Sequence, residues 1–119
     1  YYQRTILNGR RHSAATAFLD PIRNRANLRI ITGALVELLT FEEKQVKGVV
    51  FQKNQRTEEV RAGKEILLSA GSINSPKLLQ LSGVGNAEFL RNLGIEVIHD
   101  LKGIGEDFRI IMRSGLPIG

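Results

Sequence analysis

Three runs rich in β-branched residues, joined by two short polar connections, constrain this chain more than any other feature in it. Ala34 to Phe41, Val46 to Gln52 and Glu59 to Ala62 are the runs, and Glu42-Glu43-Lys44-Gln45 and Lys53-Asn54-Gln55-Arg56 are the first turns between them. A parallel crossover needs about a dozen residues or more, so neighbours linked this tightly pair antiparallel, as a β-meander. Leu28 to Ile31 reads as a short strand ahead of the meander and Lys64 to Ser69 as a fifth strand behind it. Within that fifth run Ile66-Leu67-Leu68 is uninterrupted, the pattern of a strand covered on both faces, as in a parallel sheet.

Helical segments flank these strands. Ser13 precedes Ala14-Ala15-Thr16-Ala17-Phe18-Leu19 as an N-cap, and Pro21 ends that helix. Ser75 and Pro76 read as N-cap and first helical residue of a second helix, with Leu78, Leu79 and Leu81 on its apolar face and Gly83 as a left-handed C-terminal cap. Asn86 caps a third, in which Phe89, Leu90 and Leu93 share a face and Gly94 marks the end; Ile95 to Ile98 is then a last strand. The expected fold class is α/β: an antiparallel β-meander, one buried parallel-type strand and short helices in a single domain.

Composition removes several function classes. None of the 119 residues is cysteine, which excludes disulfides and thiolate metal sites and is compatible with a reducing, cytoplasmic compartment. His12 and His99 alone cannot build a zinc site, so no metal is expected. The apolar-leaning run Ile30 to Phe41 is broken by Thr32, Gly33 and Glu37, far short of the roughly 20 residues of a transmembrane helix. The opening YYQRTILNGRR has no signal-peptide character and no initiating Met, and reads as though entered mid-sequence. Of the net charge of +5, the front carries the excess: Arg4, Arg10, Arg11, Arg23, Arg25 and Arg29 face a single acid, Asp20, within residues 1–30, whereas residues 31–119 hold eleven of each sign. Such a front suits solvent or an anionic partner. Nucleic acid is not expected, because Tyr1 and Tyr2 are the only tyrosines and no recognition helix accompanies the arginines.

Few residues offer chemistry. Gly83-Val84-Gly85 and Gly103-Ile104-Gly105 hint at a dinucleotide-binding glycine loop, but the third glycine of that loop is replaced by Glu88 and Phe108, and the first pair follows a helix rather than a strand. Capping and turning explain both pairs. The serines lack a base held by an acid, His99 and Asp100 fall on opposite faces of a strand, and Glu42-Glu43 and Glu58-Glu59 sit beside turns. Ala70-Gly71, at the exit of the Lys64 to Ser69 run, admits two readings: small residues that let a ligand or another backbone approach, or a tight turn that needs a glycine. Spacing leaves both open.

Several ordered motifs resemble the glucose-methanol-choline (GMC) flavoprotein oxidoreductases, most closely their choline-dehydrogenase-like members. GSINSPKLLQLSGVG, residues 71–85, is similar to that family's second signature. Gly9 to Leu19, Asn27 to Val36 and Gly94 to Gly105 resemble further family segments, so that the likeness covers about residues 7–107. The resemblance implies a partial FAD-binding domain over residues 1–119, FAD as cofactor and a small-molecule alcohol as substrate of the intact protein, oxidised by hydride transfer to flavin N5. It also implies that the backbone of Val36 reads the adenine edge, while Ala70 and Gly71 stay small beside the ADP part of FAD. The family's GxGxxG loop and its catalytic histidine have no counterpart here, so the chain reads as an internal piece, inactive alone and with no catalytic residue of its own. After Glu106 the family usually continues Asn-Leu-Gln-Asp-His, whereas Asp107-Phe108-Arg109-Ile110 stands here, and residues 108–119 form a divergent tail. The alternative to this family reading is a small standalone binding module whose basic front meets an anionic partner.

Overall fold

The computed structural model describes residues 5–107; the tail 108–119 and the two tyrosines lie outside the described residues. The chain divides at Thr32/Gly33 into two compact units.

In the first unit a short hairpin pairs β1 (Ile6–Leu7) with β2 (Arg10–Arg11). Asn8 and Gly9 make its turn with φ of 51° and 72°, the doubly left-handed geometry that matches strand twist and that Asn-Gly accepts readily. A π-helical turn, Ala15–Leu19, follows, and Ser13 starts it as expected: its Oγ accepts the Thr16 amide at 3.2 Å. The strand expected at Leu28 to Ile31 is absent. Leu28 instead donates its amide to the Arg25 carbonyl at 3.0 Å, closing a turn, and no described segment pairs with the residues after it.

The second unit is built on the meander, β3 (Leu35–Glu42), β4 (Gln45–Lys53) and β5 (Arg56–Arg61), in that spatial order and antiparallel throughout. Asn54 and Gln55, with φ of 50° and 60°, form the second tight turn. Register shifts at Val36/Leu38 and Thr40/Phe41 mark bulges in β3, which bend and twist it. Gly48 faces Thr40, and a Cβ on it would lie 2.6 Å from the threonine Oγ1, which donates to Glu59 Oε1 at 3.1 Å. Leu39, Gly48 and Phe51 are the buried residues of the sheet, whereas β5 is exposed along its whole length.

α1 (Gly71–Leu81) packs on β3 through the buried Leu78. It begins earlier than the Ser75-Pro76 pair suggests. Gly71, at φ +92°, already belongs to the helix, and Ser75 sits inside its second turn with its Oγ accepting the Ala70 amide at 3.1 Å. Pro76 therefore stands within the helix, where it removes one main-chain hydrogen bond near the N-terminal end.

The last part is a miniature β-α-β unit. β6 (Val84–Gly85) pairs in parallel with β7 (His99–Asp100), and α2 (Ala87–Asn92) makes the crossover. Leu90, fully buried, anchors α2. Asn86 caps it as expected, accepting the Glu88 and Phe89 amides at 3.0 and 3.2 Å, and Asp100 Oδ1 takes the Ala87 amide at 3.0 Å.

The α/β class, the meander, the short helices and the parallel pairing are all present, but the parallel pairing lies elsewhere than expected. Lys64 to Ser69 forms no ladder, because no described segment offers it a neighbour. It keeps the side-chain alternation of an extended segment: Ile66 and Leu68 line an apolar cavity, while Leu67 between them is 82% exposed. Ile95 to Ile98 likewise falls one residue short of its strand, for the ladder starts at His99.

Candidate functional site

The corner that leads into α1 is where the second unit opens. Ala70 stands immediately before the helix with φ −81° and ψ 4°, its amide held by the Ser75 hydroxyl. From here one wall of a cleft of about 680 Å³ runs down the helix through Asn74, Lys77, Leu78 and Leu81. The opposite wall is residues 34–38, the start of β3. Val36 and Ala70, 34 residues apart in the chain, thus line one cavity. Gly71 does not line it. It is exposed, and a Cβ built on it would meet nothing within 4 Å, so its requirement for glycine comes from φ +92° and not from crowding within this chain.

The walls are apolar with a few polar groups, Glu37, Asn74 and Lys77, which is the usual makeup of a small-molecule site. They carry no hydroxyl, thiol or imidazole, and among the described residues no cluster of three potential metal ligands exists. Such a cleft can hold a flat apolar group by its faces and a sugar or phosphate by its polar rim; its titratable groups are Glu37 and Lys77, and neither is hydrogen-bonded to a partner that would activate it among the described residues. Asn74, Lys77, Leu78 and Leu81 were not singled out in the sequence as site residues. Their spacing from Ala70 is nevertheless helical, so a helix started at Gly71 would have put them on one face.

Two further cavities adjoin. One, of about 340 Å³, lies between the sheet, α1 and the Lys64 to Ser69 segment, with Lys44 and His99 among its otherwise apolar walls. The other, of about 840 Å³, lies between α1 and the Gly103–Asp107 loop. Gly83, Gly103 and Gly105 cap or turn, as expected, whereas Gly85 lies in β6, paired with Asp100. Gly83 has φ +85° and closes α1, and a Cβ there would run into the Glu96 carbonyl oxygen and lie 2.8 Å from Ile98 Cγ1. Gly105 has φ +84° and packs on Gln80, whose Nε2 donates to the Ile104 carbonyl at 3.1 Å.

Compared with known proteins, residues 2–112 match the family model described as GMC oxidoreductase. This chain belongs to the GMC oxidoreductase family. It is 53% identical over 103 residues to the oxygen-dependent choline dehydrogenase of Staphylococcus saprophyticus, a match covering 87% of this chain and 18% of that protein. To the protein of the same name from Chromohalobacter salexigens it is 45% identical over 101 residues, a match covering 85% of this chain and 18% of the relative. The chain therefore spans about a fifth of the length of the curated relatives it matches. Among solved structures it is similar to an FAD-dependent oxidoreductase from Chaetomium thermophilum, with a TM-score of 0.74 at 41% identity over 78% of this chain and 16% of the other. It is equally similar to pyridoxine 4-oxidase from Mesorbium loti, with a TM-score of 0.74 at 39% identity over 82% of this chain and 19% of the other.

FAD is the cofactor of the fold to which this chain contributes. The cleft fits part of such a group: its volume falls within the range of small-molecule sites, and its facing apolar walls suit a purine ring better than a charged group. At Gly71 the open space leaves main chain accessible to a ligand.

Proposed function

We propose that this chain forms the nucleotide side of the FAD domain, over about residues 7–107, in a flavoprotein that oxidises an alcohol. The observation that carries this reading is the shared cleft of Val36 and Ala70, residues from two elements that meet only in the folded chain. In this reading the main chain at Val36 offers an amide and a carbonyl to the adenine edge, which needs extended backbone rather than a particular side chain. Ala70 keeps the mouth of the cleft open, and Gly71 gives the ligand access to bare backbone. Leu78 and Leu81 support the ring from the helix side, and Asn74 and Lys77 lie where ribose and phosphate oxygens would emerge.

FAD supplies, when bound, a flavin N5 that accepts a hydride from the alcohol. This chain's own residues contribute binding and orientation. No described residue is placed as a catalytic acid or base, and substrate contacts and proton transfer belong to other parts of the intact enzyme. An alcohol substrate is supported by the choline dehydrogenases among the relatives. The arginine-rich front lies inside the matched span of residues 2–112, which favours its being part of the same fold over a separate anion-binding module.

The test is purification of the 119-residue chain by itself. It should carry no flavin absorption and reduce no dye in the presence of choline. Alcohol-dependent turnover by the pure chain would overturn the reading.

A further inference from the structure

The two walls of the cleft belong to different elements, and one side chain ties them together. Ser82, the residue after α1, is buried at 8% exposure. Its Oγ accepts the Leu39 amide of β3 at 2.8 Å and donates to the Leu78 carbonyl of α1 at 2.6 Å. Leu39 follows cleft-lining Leu38 directly, and Leu78 lines the cleft itself. Among the described residues this is the one side-chain hydrogen bond that joins the helix to the sheet.

A serine at a helix end often bonds back to the carbonyl four residues earlier, and that bond alone would be local. The second bond makes it a bridge. Leu39 is held at the edge of β3, where no other strand pairs among the described residues, so without Ser82 its buried amide has no protein partner. On both sides of the bridge the packing is open: the cleft lies on one side, and the 340 Å³ cavity, lined by Leu39 and Leu79, on the other. With voids on either side, the separation of β3 and α1 is fixed where buried Leu78 and Leu39 pack and where Ser82 bonds to both elements. Ser82 itself cannot drift, because Ser82, Gly83, Val84 and Gly85 are all buried and Gly83 abuts the Glu96 carbonyl.

We propose that Ser82 is a positioning residue that sets the width of the cleft between β3 and α1, and through it the affinity for the nucleotide half of FAD, without touching the cofactor. This rests on the reading that the cleft seats the nucleotide.

The experiment uses the full-length flavoprotein that carries this chain, stripped of FAD and titrated with it by flavin fluorescence, with the melting temperature of each apoprotein measured in parallel. Ser82→Cys keeps the size but weakens the bridge, Ser82→Ala removes it, and Ser82→Thr retains the hydroxyl. The expected result is an FAD Kd raised about 3- to 10-fold by Cys and Ala and close to wild type in Thr, the range set by the loss of one buried hydrogen bond. Leu90→Ala, which empties a core position away from the cleft, should lower the melting temperature and leave Kd within about twofold. If Leu90→Ala weakens FAD as much as Ser82→Ala at equal loss of melting temperature, Ser82 is merely structural and the proposal falls. Should Ser82→Ala not fold, the Cys and Thr variants decide, and equal Kd values for these two overturn it. Ala70→Leu separates the two ideas: if it weakens FAD while the Ser82 variants do not, the bridge is wrong and the site stands. If Ala70→Leu leaves Kd unchanged, the nucleotide site itself is wrong and the proposal goes with it.

Discussion

At the scale of single residues, Gly83 and Gly105 are required by backbone geometry. Gly83 and Gly105 both lie near φ +85°, and each has a neighbour where a Cβ would go: the Glu96 carbonyl for the first, the Gln80 amide for the second. Gln80 is a flexible side chain, whereas Glu96 presents backbone. Gly83→Ala is therefore the more damaging change, expected to lower unfolding free energy by about 2–4 kcal/mol from strain and crowding together, as read by urea denaturation of the full-length protein. Gly105→Ala should cost less, about 1–2 kcal/mol, because Gln80 can move. Such local devices were legible in the sequence, since Gly after an apolar helix or Asn before one acts within a turn or two. Ser82 was not, because its partner amide is 43 residues away and nothing in Ser-Gly-Val-Gly announces a distant strand.

At the scale of elements, α2 shows how a six-residue helix persists in an otherwise open unit. Isolated helices so short are marginal in water, and this one is held by a buried Leu90 and by three amides satisfied at its start. Two come from Asn86 and the third from Asp100, which also ties α2 to β7. Asn86→Ala and Asp100→Ala should each destabilise by about 1 kcal/mol in chemical denaturation, the usual worth of an N-cap. The meander was legible because short polar turns leave its strands one way to pair. The ladder expected at Lys64 to Ser69 was not a fault of pattern: Ile66 and Leu68 still point into a cavity and Leu67 away from it. A strand is defined by its neighbour, and hydrophobicity within one segment does not reveal whether that neighbour is present. The start of α1 was misplaced for a different reason. Ser-Pro is a common helix opening, but here the Ser75 hydroxyl reaches back to Ala70, so the helix begins before the pair instead of at it.

At the scale of the whole molecule, the second unit leaves Leu67, Ile73 and Leu35 between 66% and 82% exposed, the latter two lining a cavity or cleft. Apolar surface of this kind is normally covered by more protein. In keeping with this, the chain spans about a fifth of the length of its curated relatives. Purified alone, it should bind a hydrophobic reporter dye strongly and self-associate in sedimentation experiments. A monodisperse chain with no dye binding would show that its surface is complete as it stands. The family was legible because its motifs mark strand exits and helix ends, where backbone geometry dictates residue type; of the three residues that the resemblance implied beside FAD, Val36 and Ala70 line one cleft and Gly71 does not, while the helix side of that cleft is ordinary amphipathic sequence. That this cleft seats the adenosine end of the cofactor is tested most directly by setting FAD against FMN. In the full-length apoprotein, Ala70→Leu should weaken FAD about tenfold or more while leaving FMN, which lacks that end, bound as before. An unchanged affinity for FAD, or an equal loss for both flavins, would contradict it.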